Sequence, residues 1–234
     1  MRFVADVPTR LIERLRAGDL DAALVSSIEA FRGAGYRVAP GLAIACRGPV
    51  RSVRAFRRRD VPIRSVGLDS GSETSVALLK VLLRERLGAT APTFERIEPT
   101  RTPDRLPHDL VLLIGDCGLH ADAGEREALD LGALWHEWTG LPFVFALWLL
   151  APGADAARVV PRLRAARARA IADRIEDGTG GAIHYTFGDD ERRGLLRFRD
   201  EAVRLGLAPG DVAPTFLDFH QETVPTKGSD LHHD

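Results

Sequence analysis

The segment Leu68 to Lys80 (LDSGSETSVALLK) constrains the fold more than any other part of the chain. Arg64 to Asp69 reads as a strand, and Ser70 to Ser75 as the loop that follows it. That loop carries hydroxyls at Ser70, Ser72, Thr74 and Ser75, and Gly71 lets the backbone approach a neighbour closely. Val76 to Leu83 is then apolar on nearly every side, as a buried helix must be. A buried strand that turns directly into a buried helix is the repeating unit of a layered α/β protein.

The same alternation runs along the chain. Pro8 suits a first helical position, with Leu11, Ile12 and Leu15 on one face and Gly18 as a stop. Leu20 to Val25 reads as a short buried strand, after which Ser26 and Ser27 open a short helical segment. Tyr36 to Cys46 is extended and broken at Pro40-Gly41, and Arg51 to Phe56 continues it. Thr93 to Ile97 and Asp109 to Ile114 (DLVLLI) are further strands. Leu131 to Thr139 leads into an extended stretch ending at Leu150. Asp155 onward is helical as far as Gly178, and Asp189 caps a last helix closed by Gly206. The tail from Thr223 to Asp234 has no periodicity. Near-continuous apolar strands alternating with helices predict parallel sheet covered on both sides. Two long crossings, near 42–56 and 141–150, predict two α/β lobes with a cleft between them. One lobe is residues 1–49 plus 151–234 and the other is residues 50–150.

Charge and cysteine usage narrow the class of partner. The chain has 32 basic and 33 acidic side chains, a formal net charge of −1, so no global field favours nucleic acid or anionic lipid. Its longest apolar run, Leu141 to Pro152, is far short of a membrane helix. The first residues carry charges every few positions and have no apolar signal-peptide core. Cys46 and Cys117 form no CxxC or Cys/His cluster, so no metal site and no disulfide framework is expected. Two thiols in a chain of 234 residues fit a reducing compartment. The expectation is a cytoplasmic protein without cofactor, contacting neither membrane nor nucleic acid; the pattern sets no oligomeric state.

Three places carry potential chemistry. Ser70, Gly71, Ser72, Thr74 and Ser75 precede a helix whose first turn has unpaired N–H groups and a partial positive charge. Such a turn can hold a carboxylate or phosphate without lysine or arginine. Plain helix capping needs one hydroxyl, and this loop has four. It is not a phosphate-binding P-loop, because the GxxxxGK[ST] pattern is missing. Ser26 and Ser27 repeat the theme in the other lobe, with capping as the alternative. If both loops face the cleft, the protein holds two anionic groups, which suits a small dicarboxylate. Asp116, in Ile114-Gly115-Asp116-Cys117, lies at the carboxyl end of a buried strand, where it could accept a hydrogen bond from a substrate hydroxyl or cap the next segment. Cys117 reads as a small packed residue. The other candidates have plainer readings. The run Arg57 to Asp60 reads as a solvated turn, with a phosphate grip as the sharper alternative. Trp135-His136-Glu137-Trp138 lacks the second histidine of a zinc-protease motif. His232 and His233 lie in the aperiodic tail, and the Arg/Ala-rich helix 158–174 reads as a solvated face.

These residues resemble the chorismate dehydratase family of the futalosine route to menaquinone. The resemblance runs in order through DVPTRLIERLRAGDLDAALVSSIEAFR, GYRVAPGLAIACRGPVRSV, LDSGSETSVALLK, LVLLIGD, DLGALWHEWTGLPFVFALW and GLLRFRDEAVRLGLAP. It implies a two-lobed type II periplasmic-binding-protein fold, and a lyase that converts chorismate to 3-[(1-carboxyvinyl)oxy]benzoate without metal or organic cofactor. It further implies that Ser70, Ser72, Thr74 and Ser75 form the binding loop, that Ser26 and Ser27 contact the substrate from the opposite lobe, and that Asp116 meets a hydroxyl. Two alternatives stay open at this point: a non-catalytic binder of small carboxylates, and the sibling enzyme making 1,4-dihydroxy-6-naphthoate. Family members normally begin with a further strand and an S-Y-L-N or S-F-L-N loop whose asparagine is implicated in catalysis. The sequence here starts after that segment and contains no asparagine.

Overall fold

The computed structural model describes residues 3–33, 35–173 and 181–217. The Gly178 stop, the tail from Thr223, His232 and His233 lie outside the described residues. The first helix, α1 (Pro8–Arg16), begins as expected with proline at its first position and buries Ile12 and Leu15. It packs on β1 (Ala22–Ser26), where alternate residues Ala23 and Val25 are buried. A short α2 (Glu29–Arg32) follows and leads to β2 (Arg37–Cys46). The chain then builds β3 (Val53–Arg57), β4 (Ser65–Asp69), α3 (Glu73–Glu85), β5 (Thr93–Ile97), β6 (Leu110–Ile114), α4 (Gly115–His120), β7 (Glu127–Asp130) and α5 (Leu131–Thr139). It returns through β8 (Phe143–Leu150), α6 (Ala156–Ala172), α7 (Asp189–Arg204) and β9 (Thr215–Phe216).

The strands form two sheets. The first has the order β1-β8-β2-β9 and the second β5-β4-β6-β3-β7. The α/β expectation holds, but strand direction is mixed rather than parallel. Among the described residues, β4–β5, β4–β6 and β2–β9 run parallel, and β1–β8, β2–β8, β3–β6 and β3–β7 are antiparallel. A continuous apolar run reports burial on both faces, not direction. Direction is fixed by where each connection returns the chain, and β3 and β8 enter their sheets from the crossings rather than from a βαβ unit. Sheet membership also bears on the expected block 50–150. Phe143 to Leu150 pairs with β1 and β2, so this segment belongs with the first sheet. Likewise Asp189 is the first helical residue of α7 and not its cap; Gly188 takes that place and donates its N–H to the Glu191 carboxylate at 2.9 Å.

Packing between the sheets explains the composition of the middle layer. α3 is buried from Thr74 to Leu79 and again from Val81 to Leu83, as its all-round apolar sequence requires. Beside it, Trp135 of α5, Phe143 of β8 and Phe198 of α7 are fully buried and meet edge to face, with centroids 5.0–6.2 Å apart. That geometry is the favourable one for aromatic quadrupoles. The Trp135 indole N–H donates to Pro142 O at 3.1 Å, so the largest core side chain leaves no polar group unpaired. Gly194 allows the close approach of α7, because a Cβ there would lie 2.1 Å from Pro142 O.

Two predictions follow from this packing. Gly194→Ala sets helix propensity, which favours alanine by about 1 kcal/mol, against a backbone clash that costs roughly 1–3 kcal/mol or more. The clash wins, so the denaturant midpoint falls; a rise would show that α7 does not press on Pro142. Cys46 packs against Gly132 and, through burial and then the nearby Asp130 carboxylate, its thiol is pushed up to about 12. In the folded protein at pH 8, iodoacetamide therefore alkylates the half-buried Cys117 only, and Cys46 reacts after denaturation. Mass spectrometry of the intact protein reads the number of adducts.

Candidate functional site

Helix α3 starts where the two sheets meet. β4 delivers the chain to this point, and Ser72, in extended conformation, caps the helix by accepting the N–H of Ser75 at 3.3 Å. The Ser75 hydroxyl lies 3.2 Å from that of Ser72, so the two form one polar patch. Gly71, Ser72 and Ser75 line a cavity of about 290 Å³, and Ser26, at the end of β1, lines it from the first sheet. The expected loops therefore share one cavity through Ser26, Gly71, Ser72 and Ser75. The remaining wall is largely apolar, with Leu24, Ile44 and Phe145 from the first sheet and Val53 and Ile114 from the second. Among the described residues, its lining holds no carboxylate, imidazole, thiol, amine or guanidinium.

The other candidates lie elsewhere. Ser27 is fully buried, and its hydroxyl donates to Val144 O at 2.7 Å. Thr74 is also fully buried: its hydroxyl oxygen accepts the Ile28 N–H at 3.1 Å and lies 3.3 Å from the Ser27 hydroxyl. This pair joins α3 to the first sheet and does not line the cavity. Ser70 is exposed and is not among the residues that line the cavity. Asp116 is exposed in the first turn of α4, while its neighbour Gly115 lines the cavity.

The structure adds two residues that sequence reasoning passed over. Asp69 ends β4 and is 2% exposed. One carboxylate oxygen accepts the Gly71 N–H at 2.8 Å and the other the Ile114 N–H at 3.2 Å. A single buried carboxylate thus fixes both second-sheet turns that rim the cavity. Its position as the last strand residue before a Ser/Gly loop was the available signal. Ser52 also lines the cavity, from the crossing between β2 and β3. That crossing is held by Asp130, whose carboxylate accepts N–H groups from Val50 at 3.0 Å, Arg51 at 2.7 Å and Ala133 at 3.0 Å. Arg51 sits at φ 65, a left-handed conformation uncommon for a residue with a side chain, and the Asp130 bond secures it there.

Glu73, between the two cavity serines, points away from the cavity toward Arg32 and Arg96. Burial raises its pKa, but hydrogen bonds and charge, first from Arg96 and then from Arg32, outweigh this and hold it below the usual carboxylate range. Among the described residues, no group of three or more His, Cys, Asp or Glu side chains could hold a metal ion. Nor is any helix among them long and apolar enough to cross a membrane. The site offers shape, apolar surface, hydroxyls and a helix N-terminus.

Comparison with known proteins gives this arrangement a context. Solved structures share the fold at low identity. One is a protein from Archaeoglobus fulgidus, with a TM-score of 0.64 at 16% identity, covering 88% of this chain and 87% of that one. Another is the periplasmic aliphatic sulphonate binding protein SsuA from Escherichia coli, with a TM-score of 0.56 at 14% identity, covering 88% and 82%. These show the two-lobed binding-protein fold. Residues 1–177 match the family described as menaquinone biosynthesis. The chorismate dehydratase of Thermus thermophilus is 32% identical over 231 residues, covering 89% of this chain and 76% of that protein. The chorismate dehydratase of Campylobacter jejuni is also 32% identical, over 147 residues, covering 62% of this chain and 52% of that protein. By the family match over residues 1–177 and the 32% identity to the Thermus thermophilus protein, this chain belongs to the chorismate dehydratase family of menaquinone biosynthesis.

Proposed function

We propose that this protein dehydrates chorismate to 3-[(1-carboxyvinyl)oxy]benzoate in the cavity between its two sheets. We also propose that the sheets mark two lobes, which meet at crossings 47–52 and 140–142. The observation that carries the functional reading is the meeting of Ser26 with Gly71, Ser72 and Ser75 around one apolar space. Chorismate carries two carboxylates, and this space offers hydroxyl donors from both of its sides. Its size, about 290 Å³, is at the small end of ligand pockets and suits a compact substrate.

The chemistry explains why so spare a site suffices. A ring C–H and the ring C–O bond break, the proton and hydroxyl leave as water, and the C–H electron pair completes an aromatic ring. Aromatisation drives the step, so the protein has to orient the substrate and hold its charges. Among the described residues, no ionisable side chain lines the cavity. The reading therefore assigns the proton first to a carboxylate of the substrate itself, with the serine hydroxyls holding that substrate in position. A low-dielectric wall strengthens each hydroxyl–carboxylate bond, worth roughly 1.5–3 kcal/mol net.

The test is incubation with chorismate and mass spectrometry for the enolpyruvyl-benzoate. Product is expected. Saturable chorismate binding without product would instead favour a carboxylate-binding protein, and no binding at all would sink the site. Where binding is seen, Ser72→Ala combined with Ser75→Ala weakens it about tenfold or more, read by calorimetry. Unchanged affinity would reduce these hydroxyls to a helix cap. Asp69→Asn keeps the shape but exchanges one acceptor oxygen for a donor facing a backbone N–H. It lowers kcat/KM about tenfold or more while the fold persists by circular dichroism; an unaltered kcat/KM would mean that the turns do not need Asp69.

A further inference from the structure

We propose that Glu73 is a positioning residue for this reaction, acting through the first turn of α3 and never touching the substrate; this rests on the functional reading above. The turn divides its side chains between two tasks. Ser72 and Ser75 face the cavity, whereas Glu73 and Thr74 face away from it and hold the turn in place. One Glu73 carboxylate oxygen accepts from Arg96 on β5 of the second sheet, and the other accepts from Arg32 on α2 at 3.3 Å. Thr74, the next residue, accepts the Ile28 N–H. Consecutive residues of one helical turn are thus held by α2 and by the residue that precedes it, beside the first sheet.

Arg32 is itself fixed. Its Nε donates to Leu207 O at 3.2 Å, and its Nη1 also reaches Glu29 Oε1 at 3.3 Å. Glu29 is buried at 4% exposure and pairs on its far side with Arg16 of α1. Three guanidiniums therefore share two carboxylates in a line running from α1 through α2 to β5. An isolated exposed ion pair contributes little. This line differs because Glu29 is buried, Arg32 is tethered by a backbone carbonyl, and each carboxylate is shared by two arginines, so geometry is constrained at both ends. An acidic residue in the first turn is also favourable to the helix. Removing the Glu73 charge frees the turn on its outer side, and the two cavity hydroxyls lose their fixed separation from Ser26.

The experiment compares Glu73→Gln, Arg32→Met and the double variant with the wild type, using Arg32→Lys as the conservative control. Two readouts are taken: kcat and KM with chorismate, and hydrogen–deuterium exchange of amides 72–76 in the substrate-free protein. Glu73→Gln is expected to raise KM fivefold or more with kcat within about twofold, and to speed exchange at residues 72–76 but not in α7. Arg32→Met behaves alike, the double variant is no worse than either single one, and Arg32→Lys recovers most of the loss. A merely structural role would lower the melting temperature and leave KM unchanged, and that result overturns the proposal. If the wild type makes no product, the functional reading fails on its own. The exchange readout then decides: wild-type exchange at residues 72–76 in Glu73→Gln overturns the positioning role, and faster exchange there upholds the hold on the turn.

Discussion

A helix that begins between two sheets must satisfy its first backbone amides without help from bulk water. In α3 the solution is local: the Ser72 hydroxyl accepts from Ser75, and the Ser72 carbonyl accepts from Val76 at 3.2 Å. The same turn supplies the Thr74 oxygen to the Ile28 N–H of the opposite side. Everything else is arranged around this start. The apolar body of α3 fills the space between the layers, and the small space left at its tip is the cavity. Moving that tip would disturb the core and the site together.

Much of this could be read in the sequence, and the reasons differ by residue. Leu68 to Lys80 announced itself because strand, turn and helix are each encoded locally, by apolar continuity and by hydroxyl and glycine residues. The family resemblance runs through the same stretch and five others. Ser26 and Ser72 were expected in one site, and both line one cavity. Local pattern could not separate Ser72 and Ser75 from Thr74, because which way a side chain of the first turn points depends on what stands opposite. Thr74 meets Ile28 and Ser27, partners far away in sequence. Ser52 was hidden for a similar reason: it lies in a stretch of arginine, glycine and proline that reads as a plain crossing. The Phe143–Leu150 strand was seen, but its sheet was not, since the sequence shows burial and not the partner strand.

The cavity wall also bears on selectivity. Among the described residues no cation lines the cavity, so an anion bound there as proposed would be held by dipoles and hydroxyls in an environment that resists burying bare charge. Such a site discriminates by fit. A ligand whose carboxylates miss the hydroxyls loses its hydration without compensation, whereas an arginine-lined site would tolerate many anions. The cluster of guanidiniums on the outer face of α3 lies behind the turn, where it can shape the site without entering it.

The Asp130 carboxylate has a consequence for how this architecture can be cut and recombined. It stands at the end of β7, caps α5 and clasps the strap at Val50 and Arg51 that carries the chain from one sheet to the next. The strap is therefore not a neutral linker. Permuting the chain by opening it between residues 50 and 51 would turn the Arg51 amide into a free terminus and disturb the anchor that supports its left-handed backbone. A cut at this strap would therefore be felt at the start of α5, which the same carboxylate caps.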